Sequence, residues 1–220
     1  MSRIHRVSRN ARRLYVRAIV AALFATMSAA AAEPKDGAHG RIDGDMAVEI
    51  GVGAGFGPRS PRAVGDLRFR YLSMAGVFVT YEDGPLVGSH SDPKRAVPLG
   101  IELRPLFLAK WFTGRYSGNP RLDLAIDSLS LELGAVFLQP DGGKLGDKPG
   151  LQAGLGIELP IFPDATGPFI ALHGGARWSD AALSGGPLAG PSDRALFLNV
   201  VLAWQQVFGT RVVDLGDPAR

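Results

Sequence analysis

The chain of 220 residues contains no cysteine. That excludes a disulfide framework, a thiolate metal site and a lipoprotein anchor, which requires a cysteine at its processing site. Histidine is almost as scarce. His5, His39, His90 and His173 lie far apart, so no local cluster has metal-ligand spacing. Beyond residue 32 there are only four threonines and five lysines, residues that soluble proteins place on exposed strand faces and edges. The apolar run Ala18 to Ala32 has fifteen residues, short of the roughly 20 that a membrane helix needs.

That run is nevertheless informative. Arg3, Arg6, Arg9, Arg12, Arg13 and Arg17 precede it, and it ends in small residues before Glu33 and Pro34. This is the organisation of a signal peptide over residues 1–32, with cleavage expected after Ala32; an uncleaved anchor is the alternative. Ala11-Arg12-Arg13-Leu14-Tyr15-Val16-Arg17 resembles a twin-arginine signal, a route for folded cargo. An arginine-rich leader that happens to contain a pair is the plainer reading. Removing the segment takes the formal charge from +3 to −3, because it holds six arginines and no acid. No basic stripe with interleaved aromatics survives, which argues against a nucleic-acid partner.

Residues 33–43 form a polar leader with Pro34, Lys35, Asp36 and Gly37. From residue 44 to 208 the chain returns again and again to apolar residues at every second position. Leu129, Leu131, Leu133, Ala135 and Phe137 alternate with Ser130, Glu132, Gly134 and Val136. A period of two puts the two sets on opposite faces of a strand. Eight such runs are expected, near 45–56, 65–72, 76–82, 98–110, 129–138, 150–161, 168–178 and 195–208. Their length suits the roughly 9–11 residues of a tilted membrane-crossing strand. The connections 57–64, 83–97, 139–149 and 179–194 are long, whereas 73–75 and 162–167 are short, an asymmetry of outer-membrane barrels. Residues 111–125 break that rule, with Gly114, Gly118 and Pro120, and the apolar parity shifts near Asp127–Ser128. A bulge or strand start is expected there, with a short helix over 120–128 as the alternative. The expected fold class is therefore all-β: an antiparallel up-and-down barrel of about eight strands over 44–208, with a tail at 209–220.

Alternation alone does not say which face is wet. The polar face carries Gly51, Gly53, Gly55, Gly134, Gly154, Gly156 and Gly175, together with Glu49, Arg68, Arg70, Glu102, Arg104, Glu132, Glu158 and Arg177. Glycine weakens an exposed strand but suits a crowded interior. An eight-stranded barrel is just wide enough for side chains to fill it, and buried charges must be paired. Four Glu and four Arg across a lumen balance one another. Tyr71, Trp111, Trp178, Trp204 and Phe208, with Phe56, Phe137 and Phe162, fall near strand ends, where an aromatic girdle belongs.

On this pattern the chain resembles the small outer-membrane β-barrel class, of which the transmembrane domain of outer membrane protein A is the familiar member. Leu196-Phe197-Leu198-Asn199-Val200-Val201-Leu202-Ala203-Trp204-Gln205-Gln206-Val207-Phe208 resembles a C-terminal assembly signal ending in Phe, although Gly209 to Arg220 follow it. Ile101-Glu102-Leu103-Arg104-Pro105-Leu106-Phe107-Leu108 is similar to a stretch of uncharacterised outer-membrane proteins and imports no activity. The resemblance implies location in the cell outer membrane. It also implies membrane lipids, lipopolysaccharide and the barrel assembly machinery as partners.

Catalytic chemistry is hard to find. Ser89-His90-Ser91-Asp92 contains triad residue types, but they are consecutive in a loop and lack the geometry of a triad. His173 lies on a polar strand face with Ser179 beyond the strand end; an interior hydrogen-bonded histidine is the simpler reading than a lipid hydrolase. Gly51-Val52-Gly53-Ala54-Gly55-Phe56-Gly57 fails the dinucleotide pattern and lies in a strand. Asp141-Gly142-Gly143 has too few carboxylates for a calcium loop. The expectation is a non-enzymatic outer-membrane barrel, structural, adhesive or narrowly porous, with no cofactor and no metal. The alternatives are a soluble periplasmic barrel binding a lipid or other apolar ligand, and an outer-membrane lipid-modifying enzyme.

Overall fold

The computed structural model describes residues 39–209 except 43, 59, 88–92, 141, 147 and 188–192. The signal peptide, most of the leader, the Ser89–Asp92 stretch and all but the first residue of the expected tail lie outside the described residues. Eight strands close into one antiparallel up-and-down barrel in which each strand pairs with its neighbours in sequence and β1 meets β8. They are β1 (Met46–Phe56), β2 (Arg62–Tyr71), β3 (Ala75–Asp83), β4 (Arg95–Leu103), β5 (Ser130–Gln139), β6 (Gly150–Pro160), β7 (Gly167–Trp178) and β8 (Arg194–Phe208). Closure removes the unpaired edges that would otherwise recruit other strands.

The two faces are sharply unlike. Ile50, Leu67, Val77, Ile101, Leu133, Leu155, Ile170 and Leu202, one from each strand, are about half exposed on the outside. A water-soluble protein rarely leaves more than a few hundred Å² of continuous apolar surface exposed. An apolar band running round the whole barrel belongs in hydrocarbon. The inward positions are instead largely charged, polar or small, with a few buried rings such as Phe78, Phe169 and Phe197: Glu49, Arg68, Thr80, Glu102, Glu132, Gln152, His173 and Asn199 are all buried. These are the two faces of a membrane-spanning barrel.

One end of the barrel is covered. The expected strand over 98–110 ends at Leu103, and α1 (Pro105–Thr113) and α2 (Pro120–Asp127) form a helical hairpin before β5. Pro105 accounts for the correction, since it cannot donate to a ladder but suits the first position of a helix. α1 stops at Gly114, which adopts the left-handed conformation with φ 59°. At the start of α2 the Asn119 side chain accepts hydrogen bonds from the Arg121 and Leu122 amides at 3.1 and 3.4 Å, an N-cap. The parity shift near Asp127–Ser128 thus marks the passage from α2 to β5. Leu124 of α2 packs with Ala47, Ala165 and Val207 beneath the barrel. The three-residue β2–β3 connection, also at this end, holds Leu72 and Ser73 with φ of 51° and 54°, and the Met74 amide donates to the Tyr71 carbonyl at 3.1 Å, a turn with two left-handed central residues. At the opposite end a short helix, α3 (Asp180–Ser184), lies within the connection to β8.

Candidate functional site: the charged lumen and its cover

The period of two sends the charged residues of seven strands into one narrow space, where they meet. Arg68 donates from Nε to Asp66 at 2.6 Å, and from Nη1 to Glu102 and Glu132, each at 2.6 Å. Arg70 donates to Glu49 at 2.6 Å, Gln205 at 2.8 Å and Glu158 at 2.5 Å. It also bonds Glu102, and Arg104 bonds Glu158. Thr80 donates to Asp66 at 2.6 Å, and the Phe78 ring lies under the Arg68 guanidinium at 5.3 Å. Seven of the eight charged residues expected inside, all but Arg177, thus share this cluster near the covered end.

Arg177 is buried at the other end with different partners. Its guanidinium grips Glu82 through two bonds of 2.8 and 2.5 Å, and its Nε donates to Gln152 at 2.6 Å. Arg62 and Asn199 complete the group, donating to Glu82 at 3.2 and 3.0 Å. The Phe197 ring stacks against Arg177 at 4.0 Å. Sequence reasoning missed Arg62, Asp66, Thr80, Glu82, Gln152, Asn199 and Gln205, although each has inward parity on its strand.

Below the larger cluster, the chain at 39–42 passes between barrel and hairpin. Buried Arg41 donates to the Leu124 carbonyl at 2.8 Å and lies over the Phe107 ring at 6.0 Å, while Ser73 donates to the Arg41 carbonyl at 3.2 Å. Ser128 ties the hairpin to β6, donating to the Glu158 carbonyl at 2.9 Å and accepting from its amide at 2.8 Å. Lys110 of α1 holds Asp123 and Asp127 of α2 at 2.8 and 2.9 Å. Burial pushes the Asp123 carboxyl up, but Lys110, the Ser117 amide and His39 outweigh it and hold it at about 2. The same two carboxylates raise the Lys110 ammonium against its own desolvation.

Of the aromatics expected in a girdle, Tyr71, Trp178, Trp204 and Phe208 lie on strands. The register sets Tyr71 and Phe208 on either side of Met46, at the covered end. Trp178 closes β7 at the other end, where Phe56 also lies. Trp111 differs from its expected place beside a strand: it lies in α1, stacked on Phe107 at 6.5 Å between ring centroids. His173 is in the lumen, 2.8 Å from Glu132 through Nδ1, while Ser179 caps α3 and bonds Asp193 at 2.5 Å.

No protein-family profile and no curated protein matches this chain. Several solved structures are similar to it in fold, among them the following three. The de novo designed TMB2.3 is 15% identical over 74% of this chain and 95% of its own, with a TM-score of 0.38. Acinetobacter baumannii CarO2 is 15% identical over 72% and 99%, at 0.43. Ail, the attachment invasion locus protein of Yersinia pestis, solved with a heparin analogue, is 12% identical over 73% and 97%, at 0.36.

Proposed function

We propose that the protein is an integral barrel of the bacterial outer membrane with a structural or adhesive role, closed to solute flow. The observation that carries this reading is the inversion of the usual soluble pattern: apolar side chains outward on all eight strands, acidic and basic side chains inward on seven. A carrier of an apolar ligand would need the opposite arrangement. The two arginine clusters and the helical hairpin support closure, because they occupy the lumen and cover one mouth. Function then belongs to the long connections at the open end, where barrels of this kind meet their partners. Lipopolysaccharide and membrane lipids would surround the apolar band, and the barrel assembly machinery would insert it.

The absence of native cysteine makes the test direct. A K144C variant, in the long β5–β6 connection, should react with a membrane-impermeant maleimide on intact cells. An R115C variant, in the helical hairpin, should react only after the outer membrane is permeabilised. Labelling in the reverse order would refute the orientation. Steady conductance of the purified protein in a planar bilayer would refute closure.

A further inference from the structure

We propose that Glu49, Glu158 and His173 form a binding site inside the barrel for one divalent transition-metal cation of the zinc or manganese type. The three come from β1, β6 and β7 and are essentially inaccessible to solvent. One ligand atom of each lies within 4.8 Å of the other two. Ligands of a tetrahedral metal at about 2.1 Å each stand about 3.4 Å apart, so side-chain movements of roughly 1 Å close the set.

The hydrogen bonds show which atoms are left to bind a cation. Glu49 gives Oε2 to Arg70, Glu158 gives Oε1 to Arg70 and Arg104, and His173 turns Nδ1 to Glu132. What is left over is Glu49 Oε1, Glu158 Oε2 and His173 Nε2, and none of these buried atoms has a hydrogen-bond partner in the protein. An unsatisfied buried polar atom is costly, and one on each of three residues whose ligand atoms lie within reach of a single ion is a pattern that a cation resolves.

Two further features fit. Glu132 accepting from Nδ1–H fixes the tautomer that leaves a lone pair on Nε2, the carboxylate–histidine arrangement that orients a metal ligand. Arg68, at 2.6 Å from Glu132, steadies that carboxylate in turn. Gly156 faces His173 across the β6–β7 ladder, and a Cβ there would stand 2.5 Å from His173 Nδ1 and 3.0 Å from Glu132. Charge favours a cation too. The guanidiniums of Arg41, Arg68, Arg70 and Arg104 face the carboxylates of Glu49, Asp66, Glu102, Glu132 and Glu158, one negative charge more than positive. A donor set of one imidazole and two carboxylates suits zinc, manganese or ferrous iron over the alkaline earths.

Because the site is enclosed, the metal would enter as the barrel forms. The full chain should be folded from urea into detergent with zinc or manganese chloride, dialysed against chelator at neutral pH, and analysed by elemental mass spectrometry. Folding is checked on the same sample by the mobility of the unboiled band. The expected result is about one metal per folded chain, falling to about a tenth or less in H173Q and unchanged in H39Q. The wild type should also resist higher urea when folded with metal. Folded wild type that keeps less than about a tenth of an equivalent of either metal would overturn the proposal and leave the pocket to a proton or water. Equal retention by H173Q would overturn it as well. If H173Q does not fold, the wild-type content and its urea shift still decide.

Discussion

Arg70 is the residue on which the larger lumenal cluster turns, and replacing it with methionine separates the value of a buried charge from that of its packing. Methionine keeps an apolar stem of similar length, so most of the stem's packing survives. The guanidinium meets Glu49, Glu102, Glu158 and Gln205. Adding each charge-assisted bond at roughly 1.5–3 kcal/mol would overstate the loss, because two carboxylates have other cations. Glu102 keeps Arg68 and Glu158 keeps Arg104. Only Glu49 is left without a guanidinium, since its other oxygen has no protein partner. The cost is therefore that of one uncompensated buried charge, about 3–5 kcal/mol. Urea unfolding in lipid vesicles, followed by tryptophan fluorescence and gel mobility, should show this loss for R70M. Adding E49Q should restore about half of it or more, because the stranded charge is then gone. A loss below about 1 kcal/mol for R70M, as for an exposed pair, would refute the reasoning. So would an R70M/E49Q variant no more stable than R70M.

Other outcomes follow from the same geometry. On the outer face, L133R should cost about 2–4 kcal/mol in a bilayer, read as a lower urea midpoint; an unchanged midpoint would mean that this face meets water. Within the lumen, G156A should displace His173 from Glu132 and lower stability by about 1–3 kcal/mol. For the hairpin, Asp123 is held at about 2 against an ordinary 3.8, so its carboxylate stabilises the native state above the ordinary value. That contribution, about 2 kcal/mol, should disappear as pH falls from about 4 towards 2. Proteolysis of the α1–α2 segment should increase over that window in the wild type and not in D123N, whose hairpin should be open to protease at both ends of it.

The barrel was legible because strand parity is a strong code. Met46, Val48, Ile50 and Val52 against Glu49 and Gly51 is readable from the chain, and the exposures follow it residue by residue. The face assignment rested on Gly and Arg/Glu sharing one parity; the Arg and Glu positions are all buried, as are Gly51, Gly55 and Gly156. The helical hairpin was harder, since the apolar residues from Ile101 to Leu108 invite extension of the strand; Pro105 and the change of parity between Leu103 and Leu106 were the signals that it ends. Arg41 had no local signal at all. It follows a leader of Pro, Lys, Asp and Gly, and its burial depends on a hairpin more than sixty residues later. The juxtaposition of His173 with Glu49 and Glu158 was likewise hidden, because the three are far apart in the chain and meet only in the closed barrel. Closure of β8 onto β1 is what brings β7 and β1 round one narrow lumen.

The central claim is that the apolar set faces hydrocarbon and the charged set faces the lumen. The most direct test is the gel mobility of carbonate-washed envelope membranes, boiled against unboiled, from cells producing the protein. The account predicts that the protein stays with the membrane and that its unboiled band migrates differently from the boiled one, as a closed barrel resistant to detergent would. Release by carbonate with a single band under both conditions would contradict it.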